Sequence, residues 1–192
     1  MLLMISLPTS SKKDLIENYE NKKAEIEKLQ QEYSKLIPEY YVVEIEFELE
    51  SKILTVPEQI SINIYSFSIE DSDLTGEPIQ KYTTISQNRD LLPNSEELDT
   101  VLKSLAWSRE TLARIKSLLD EANCISIENG EITTIGIACS GMGVYSYKLF
   151  DKPLNQQQKE TYDDRCQYIY YKDHVVLEYS SGAFGQECFE RE

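Results

Sequence analysis

Residues 43–50 read VEIEFELE, an octet in which Val43, Ile45, Phe47 and Leu49 alternate with Glu44, Glu46, Glu48 and Glu50. Successive side chains of a strand point to opposite faces, so this period of two predicts a strand with one apolar and one acidic face. The apolar face requires a core. The acidic row faces either water or a basic partner, and Glu44, Glu46, Glu48 and Glu50 are therefore candidate partner-binding residues. Four carboxylates on one face also repel one another, so a Lys or Arg is expected nearby.

Upstream lies the element that covers the apolar face. Leu15, Tyr19, Lys22, Ile26, Leu29, Tyr33 and Leu36 recur at spacings of four and three, one stripe along a helix. Ser10 or Ser11 can cap it and Pro38 stops it, giving a helix over 11–37. At 1.5 Å per residue it is about 38 Å long, and it is expected to lie across its own sheet. An end projecting to pair with a partner is the alternative, although Lys22 in the seam makes a poor coiled coil.

Downstream, Ile60, Ile62 and Ile64 begin a second strand, and the apolar phase then shifts to Tyr65, Phe67 and Ile69. Such a shift predicts a bulge or a strand buried on both faces, within strands that span 41–69. Residues 70–93 contain Gly76, Pro78 and Pro93 and read as an irregular loop with one short extended piece near Tyr82–Ile85. A helix follows over 94–122, capped by Asn94 or Ser95, with a bend at Trp107–Ser108 that would divide it in two. The last third, 124–180, reads as antiparallel strands. Asn129-Gly130 marks one hairpin and Lys172-Asp173 another, and a short helix is expected within 151–165. The segregated order gives an α+β fold, mainly antiparallel sheet packed against two long helices with a C-terminal β-meander, in a single domain over 1–192.

Composition narrows the function. The chain has 34 Asp and Glu against 19 Lys and Arg, a formal net charge of −15. Nucleic acid and anionic membrane surfaces repel such a chain, whereas a basic protein partner approaches it quickly. The apolar start, Met1–Leu7, is too short to span a bilayer and reads as a first strand or packing arm, with the protein in the cytoplasm. The four cysteines, Cys124, Cys139, Cys166 and Cys188, form no C-x-x-C pair and are expected as buried free thiols.

No cofactor or metal signature emerges. The glycine turns SGMG (140–143) and SSGAFGQ (180–186) lack a phosphate-binding spacing, and the single histidine, His174, sits beside a turn. Pairing of His174 with Cys139 or Cys188 would make an enzyme site if the fold brought them together. Thirteen tyrosines are present, and Tyr168 and Tyr170 share one strand face, which makes them further candidates for partner binding.

Two stretches, ISIENGEITTIGIACSGMGVYSYKLFDKPL and CQYIYYKDHVVLEYSSGAFGQECF, fall within 124–189. In strand and turn texture they resemble bacterial immunity-type proteins encoded beside polymorphic toxins. The resemblance implies a cytoplasmic inhibitor that occludes a toxin by surface complementarity and does no chemistry itself. It assigns no binding residues. The expected function is an acidic protein-binding domain with a basic protein partner and no nucleic acid, membrane or cofactor. The alternatives are the Cys/His enzyme and a structural subunit assembling through the first helix.

Overall fold

The computed structural model describes residues 11–48, 58–70, 79–140, 143–181 and 188–189. Met1–Leu7 and Glu50 lie outside them, as does most of the second glycine turn. The described chain is α+β: helices α1 (Lys12–Ser34), α2 (Glu96–Ser104), α3 (Arg109–Ala122) and α4 (Gln156–Thr161) accompany eight strands. The strands are β1 (Tyr41–Glu48), β2 (Gln59–Glu70), β3 (Ile79–Leu91), β4 (Ser126–Glu128), β5 (Thr133–Ser140), β6 (Gly143–Leu149), β7 (Tyr168–Lys172) and β8 (Val175–Ser181). They form one sheet in the order β3-β2-β1-β4-β5-β6-β8-β7, with every neighbouring pair antiparallel. Chain order and sheet order part twice: the connection from β3 to β4, which carries α2 and α3, passes β2 and β1, and β8 inserts between β6 and β7, so the connection carrying α4 steps over β8.

Helix α1 starts where Ser11 accepts a hydrogen bond from the Asp14 backbone N–H. Leu15, Tyr19, Ile26, Leu29 and Tyr33 are buried, which is the expected stripe without its lysine. Lys22 leaves helical geometry (φ −125°, ψ 16°) and pairs with Glu25, so a kink carries the stripe past the charge. Hydrogen bonds to the sheet and to α3 tie α1 down. Tyr33 Oη donates to the Val43 carbonyl at 2.9 Å and Tyr147 Oη to the Leu15 carbonyl at 2.7 Å. Asn18 Nδ2 donates to the Ala122 carbonyl at the end of α3. The apolar stripe is thus spent on the protein's own sheet.

The helix expected over 94–122 is two helices, divided at the anticipated bend. Ala106 adopts a left-handed φ of 54°, Trp107 is buried, and Ser108 opens α3 with a capping box. Trp107 Nε1 donates to the Leu36 carbonyl at 2.8 Å, which fixes the break against the end of α1.

The loop expected over 70–93 is corrected: from Ile79 to Leu91 the chain is a thirteen-residue edge strand paired along β2. Its residues 81–90 are nearly all exposed, so no apolar alternation marks it. The bulge expected in β2 is corrected: β2 keeps continuous register with β1 from Gln59 to Ser66, so plain alternation puts Ile60, Ile62 and Ile64 on one face and Tyr65 and Phe67 on the other, and the extra residues at the β2–β3 register shifts belong to β3. Phe67, on the face opposite Ile62 and Ile64, packs against Tyr40 and Tyr82.

The cysteine expectation also needs correction. Cys166 and Cys188 form a disulfide and Cys139 is exposed, which leaves Cys124 as the buried free thiol. The bridge holds Phe189 in the core against Tyr145 and Tyr179.

Candidate functional site

Helices α1, α2 and α3 share one face of the sheet with Val43, Ile45, Ile62, Ile127, Ile135, Tyr147 and Leu177. The strand register places the other set of side chains in two rows that cross the opposite face. One row runs Asn63, Glu44, Glu128, Thr134, Lys148, Val176, Tyr170. The next runs Ser61, Glu46, Ser126, Gly136, Ser146, Glu178, Tyr168. Glu44 and Glu46 therefore share rows with Tyr170 and Tyr168, five strands away, or about 24 Å at 4.8 Å per strand. At Gly136 a Cβ would lie 2.2 Å from Ser126 Oγ across the β4–β5 pair, so a larger residue there would have to turn the serine hydroxyl aside.

The two ends of this face differ. At the β7 end α4 covers it, and a small cluster of Phe150, Leu154 and Val176 is buried with Tyr162, Tyr168 and Tyr170 against it. Tyr168 meets Tyr162 edge-on at 5.4 Å, and Lys159 Nζ sits 4.9 Å from the Tyr170 ring centre. These tyrosines are half-buried packing groups as much as surface. Toward β1 and β4 the face is open and acidic.

The local chemistry of the acidic part follows from register. Glu44 stands directly opposite Glu128, and its carboxylate accepts from Asn63 Nδ2 at 2.8 Å. Glu46 accepts a weak bond from the Cys139 thiol at 3.7 Å, and burial followed by the charges of Glu48 and Glu44 pushes its pKa up. Glu128 is pushed up to about 7, first by burial and then by Glu44. The cation expected near the row is Lys148, reached across β4 and β5, but it pairs with the buried Glu178 at 3.3 Å. Ser146 Oγ also donates to Glu178, at 3.0 Å. Glu128 and Glu178 were missed at the sequence level because only the strand register brings them beside Glu44 and Lys148.

The thiol and imidazole of the enzyme alternative do not meet. Cys139 pairs with Val144 and His174 precedes Val175, the partner of Leu149. Five residues at 3.3 Å separate them by about 17 Å along the strands. Cys188 is held in its disulfide. Partial desolvation and the Glu46 charge raise the Cys139 thiol to about 11, away from thiolate reactivity. His174 sits in the β7–β8 turn, where its carbonyl accepts the Phe150 N–H at 2.9 Å and its side chain borders a cavity of about 600 Å³ with Glu27, Asn129 and Asp151. Among the described residues, no group of three or more His, Cys, Asp or Glu side chains could hold a metal ion, and no helix is long and apolar enough to cross a membrane.

Asn129 stands near the open face for a reason unlike the expected tight turn. Its side chain accepts from the Val43 N–H at 2.8 Å and donates to the Tyr41 carbonyl at 3.1 Å, which extends the pairing of β4 onto β1. The hairpin closes over 129–132, with Glu128 opposite Thr134. Comparison with protein-family models, curated proteins and solved structures finds no match for this chain.

Proposed function

We propose that the chain is an acidic protein-binding domain of the immunity or inhibitor kind, which occludes a basic protein partner with the open part of the sheet face opposite α1, α2 and α3. The observation that carries this reading is the open part of that face, where Glu44, Glu46, Glu48 and Glu128 point away from the helices while the nearest lysine is paired elsewhere. A surface of one sign next to low-dielectric walls raises the encounter rate with a partner of the opposite sign. The alternative of assembly through the first helix loses its basis, because the apolar stripe of α1 is buried in the chain's own core.

Co-expression with the product of the neighbouring reading frame, followed by affinity capture, tests the reading. A stoichiometric complex that neutralises a toxic neighbour is the expected result. In that complex Glu48→Lys should slow association about tenfold at low salt, with the difference shrinking at high salt. Glu97→Lys on exposed α2 is the control. Equal on-rates for the two variants would remove this face from the interaction.

A cytoplasmic location belongs to the same proposal, and the Cys166–Cys188 disulfide weighs against it, since disulfides persist in oxidising compartments. Recovery of the native protein with both thiols free from the cytoplasm would support the location. Recovery of the bridged form outside it would end that part.

A further inference from the structure

The open face holds a concavity. A cleft of about 340 Å³ is bordered by Tyr65, Tyr82, Glu128, Glu131, Thr134 and Lys148, with Val42 and the 130–132 turn completing its lining. This volume is at the small end of ligand sites, with room for a side chain and not for a large cofactor.

Within the cleft Glu128 is the unfinished group. Across the strand it faces another carboxylate, Glu44, whose hydrogen bond comes from Asn63. The Lys148 ammonium is engaged by Glu178 at 3.3 Å and lies 3.4 Å from Thr134 Oγ1. Among the described residues no hydrogen-bond donor reaches the Glu128 carboxylate. A partly buried carboxylate that faces another carboxylate is stabilised by a proton or by a cation. The charged and titratable groups around it are Glu44 from β1, Tyr65 from β2, Tyr82 from β3, Glu131 from the turn, Lys148 from β6 and Glu178 from β8. Four carboxylates against one ammonium leave the site negative, which rules out an anionic ligand.

We propose that this cleft receives one guanidinium side chain of the basic partner, with Glu128 as its counter-ion and the Tyr65 and Tyr82 rings as its walls. The inference rests on the partner reading above and names what the partner must present. A flat guanidinium suits this lining because it pairs with a carboxylate through two N–H groups and stacks on aromatic rings. An aromatic run leads into the cleft: Tyr40 lies 5.9 Å from Phe67, and Phe67 lies 6.4 Å from Tyr82. Tyr40 and Tyr82 are 59% and 46% exposed, so the residue flanking the arginine is expected to be apolar. Because the raised pKa of Glu128 lies near 7, docking below that pH displaces a proton from its carboxyl group.

The test titrates the full chain with blocked arginine (N-acetyl-arginine amide), read from the tyrosine ring resonances. Saturable shifts are expected, with affinity about tenfold weaker at pH 6 than at pH 8 because only a tenth of Glu128 is then ionised. Glu128→Gln should abolish the shifts, and Tyr82→Ser should weaken binding several-fold without touching the carboxylate. Blocked citrulline, the uncharged isostere, should not bind. Absence of saturable shifts, equal binding of citrulline or of blocked lysine, or indifference to Glu128→Gln would each overturn the assignment. Failure of the wider reading is separable. A partner complex weakened by Glu48→Lys but untouched by Glu128→Gln keeps the face and refutes the cleft. Arginine binding without any captured partner keeps the cleft and refutes the partner reading.

Discussion

The two sides of β1 are built to opposite standards. On one side Val43, Ile45 and Phe47 are buried under the helices, and the polar groups among them are partnered, as when Tyr33 Oη donates to the Val43 carbonyl. Buried Tyr19 Oη is the exception there. On the other side Glu44, Glu46 and the cross-strand Glu128 crowd one another, and the available ammonium is drawn off to Glu178. The covered side is complete as folded. The open side carries carboxylates that the fold partly dehydrates without supplying cations, and such local departures from stability are expected where a protein binds something.

The largest expected effect breaks the covered side. Ile45→Ala empties a fully buried position and should cost about 2–5 kcal/mol by the usual cost of core truncation. Its neighbour on the other side, Glu46→Ala, removes a carboxyl whose ionisation is already disfavoured, and urea unfolding should show little loss or a small gain. Equal destabilisation by both would mean that the acidic side is as structurally committed as the core, and the contrast would fail.

A somewhat smaller effect sharpens the contrast at the β7 end, where the Cys166–Cys188 bridge holds Phe189 against the Tyr145–Tyr179 stack. The bridge spans 22 residues of sequence, a loop for which chain entropy predicts roughly 3 kcal/mol. Cys166→Ser, or reduction, should lower the unfolding free energy by about that amount. Glu48→Lys should leave it unchanged. A reduced protein as stable as the oxidised one would show that the bridge adds no stability to this end.

How far the sequence disclosed these features depended on whether they were local. The alternation, described as far as Glu48, the Ser11 and Ser95 caps and the bend at Trp107 each leave a mark within a few residues, and each is found where it was read. β3 left no such mark. An edge strand exposed on both faces is held by backbone hydrogen bonds to β2, which carry no side-chain pattern. The disulfide and the Glu44–Glu128–Lys148 row join residues far apart in sequence, and only the strand register and the sheet order determine them. The row Glu44–Glu50 was thus legible as acidic, but its neighbours were not, and they decide what the face does.

The smallest of these effects has the clearest sign. The Glu128 carboxyl has a folded pKa of about 7 against an ordinary 4.5, so folding favours its protonated form. Below about pH 4.5 the group is protonated whether folded or not, and it costs nothing. Between 4.5 and 7 the cost rises with pH, and above 7 it is present in full. At 1.36 kcal/mol per pH unit the ceiling is about 3 kcal/mol, and partial exposure lowers it to the order of 2 kcal/mol. Glu128→Gln should therefore stabilise the protein by that order at pH 8 and by nothing at pH 4, as measured by urea unfolding at the two values. The gain should come together with loss of the arginine site, because the same unpaired charge causes both. A variant more stable at both pH values would point to better packing instead of relieved charge. A variant no more stable at pH 8 would mean that the fold already compensates Glu128, and the open side of the sheet would then be as complete as the covered one.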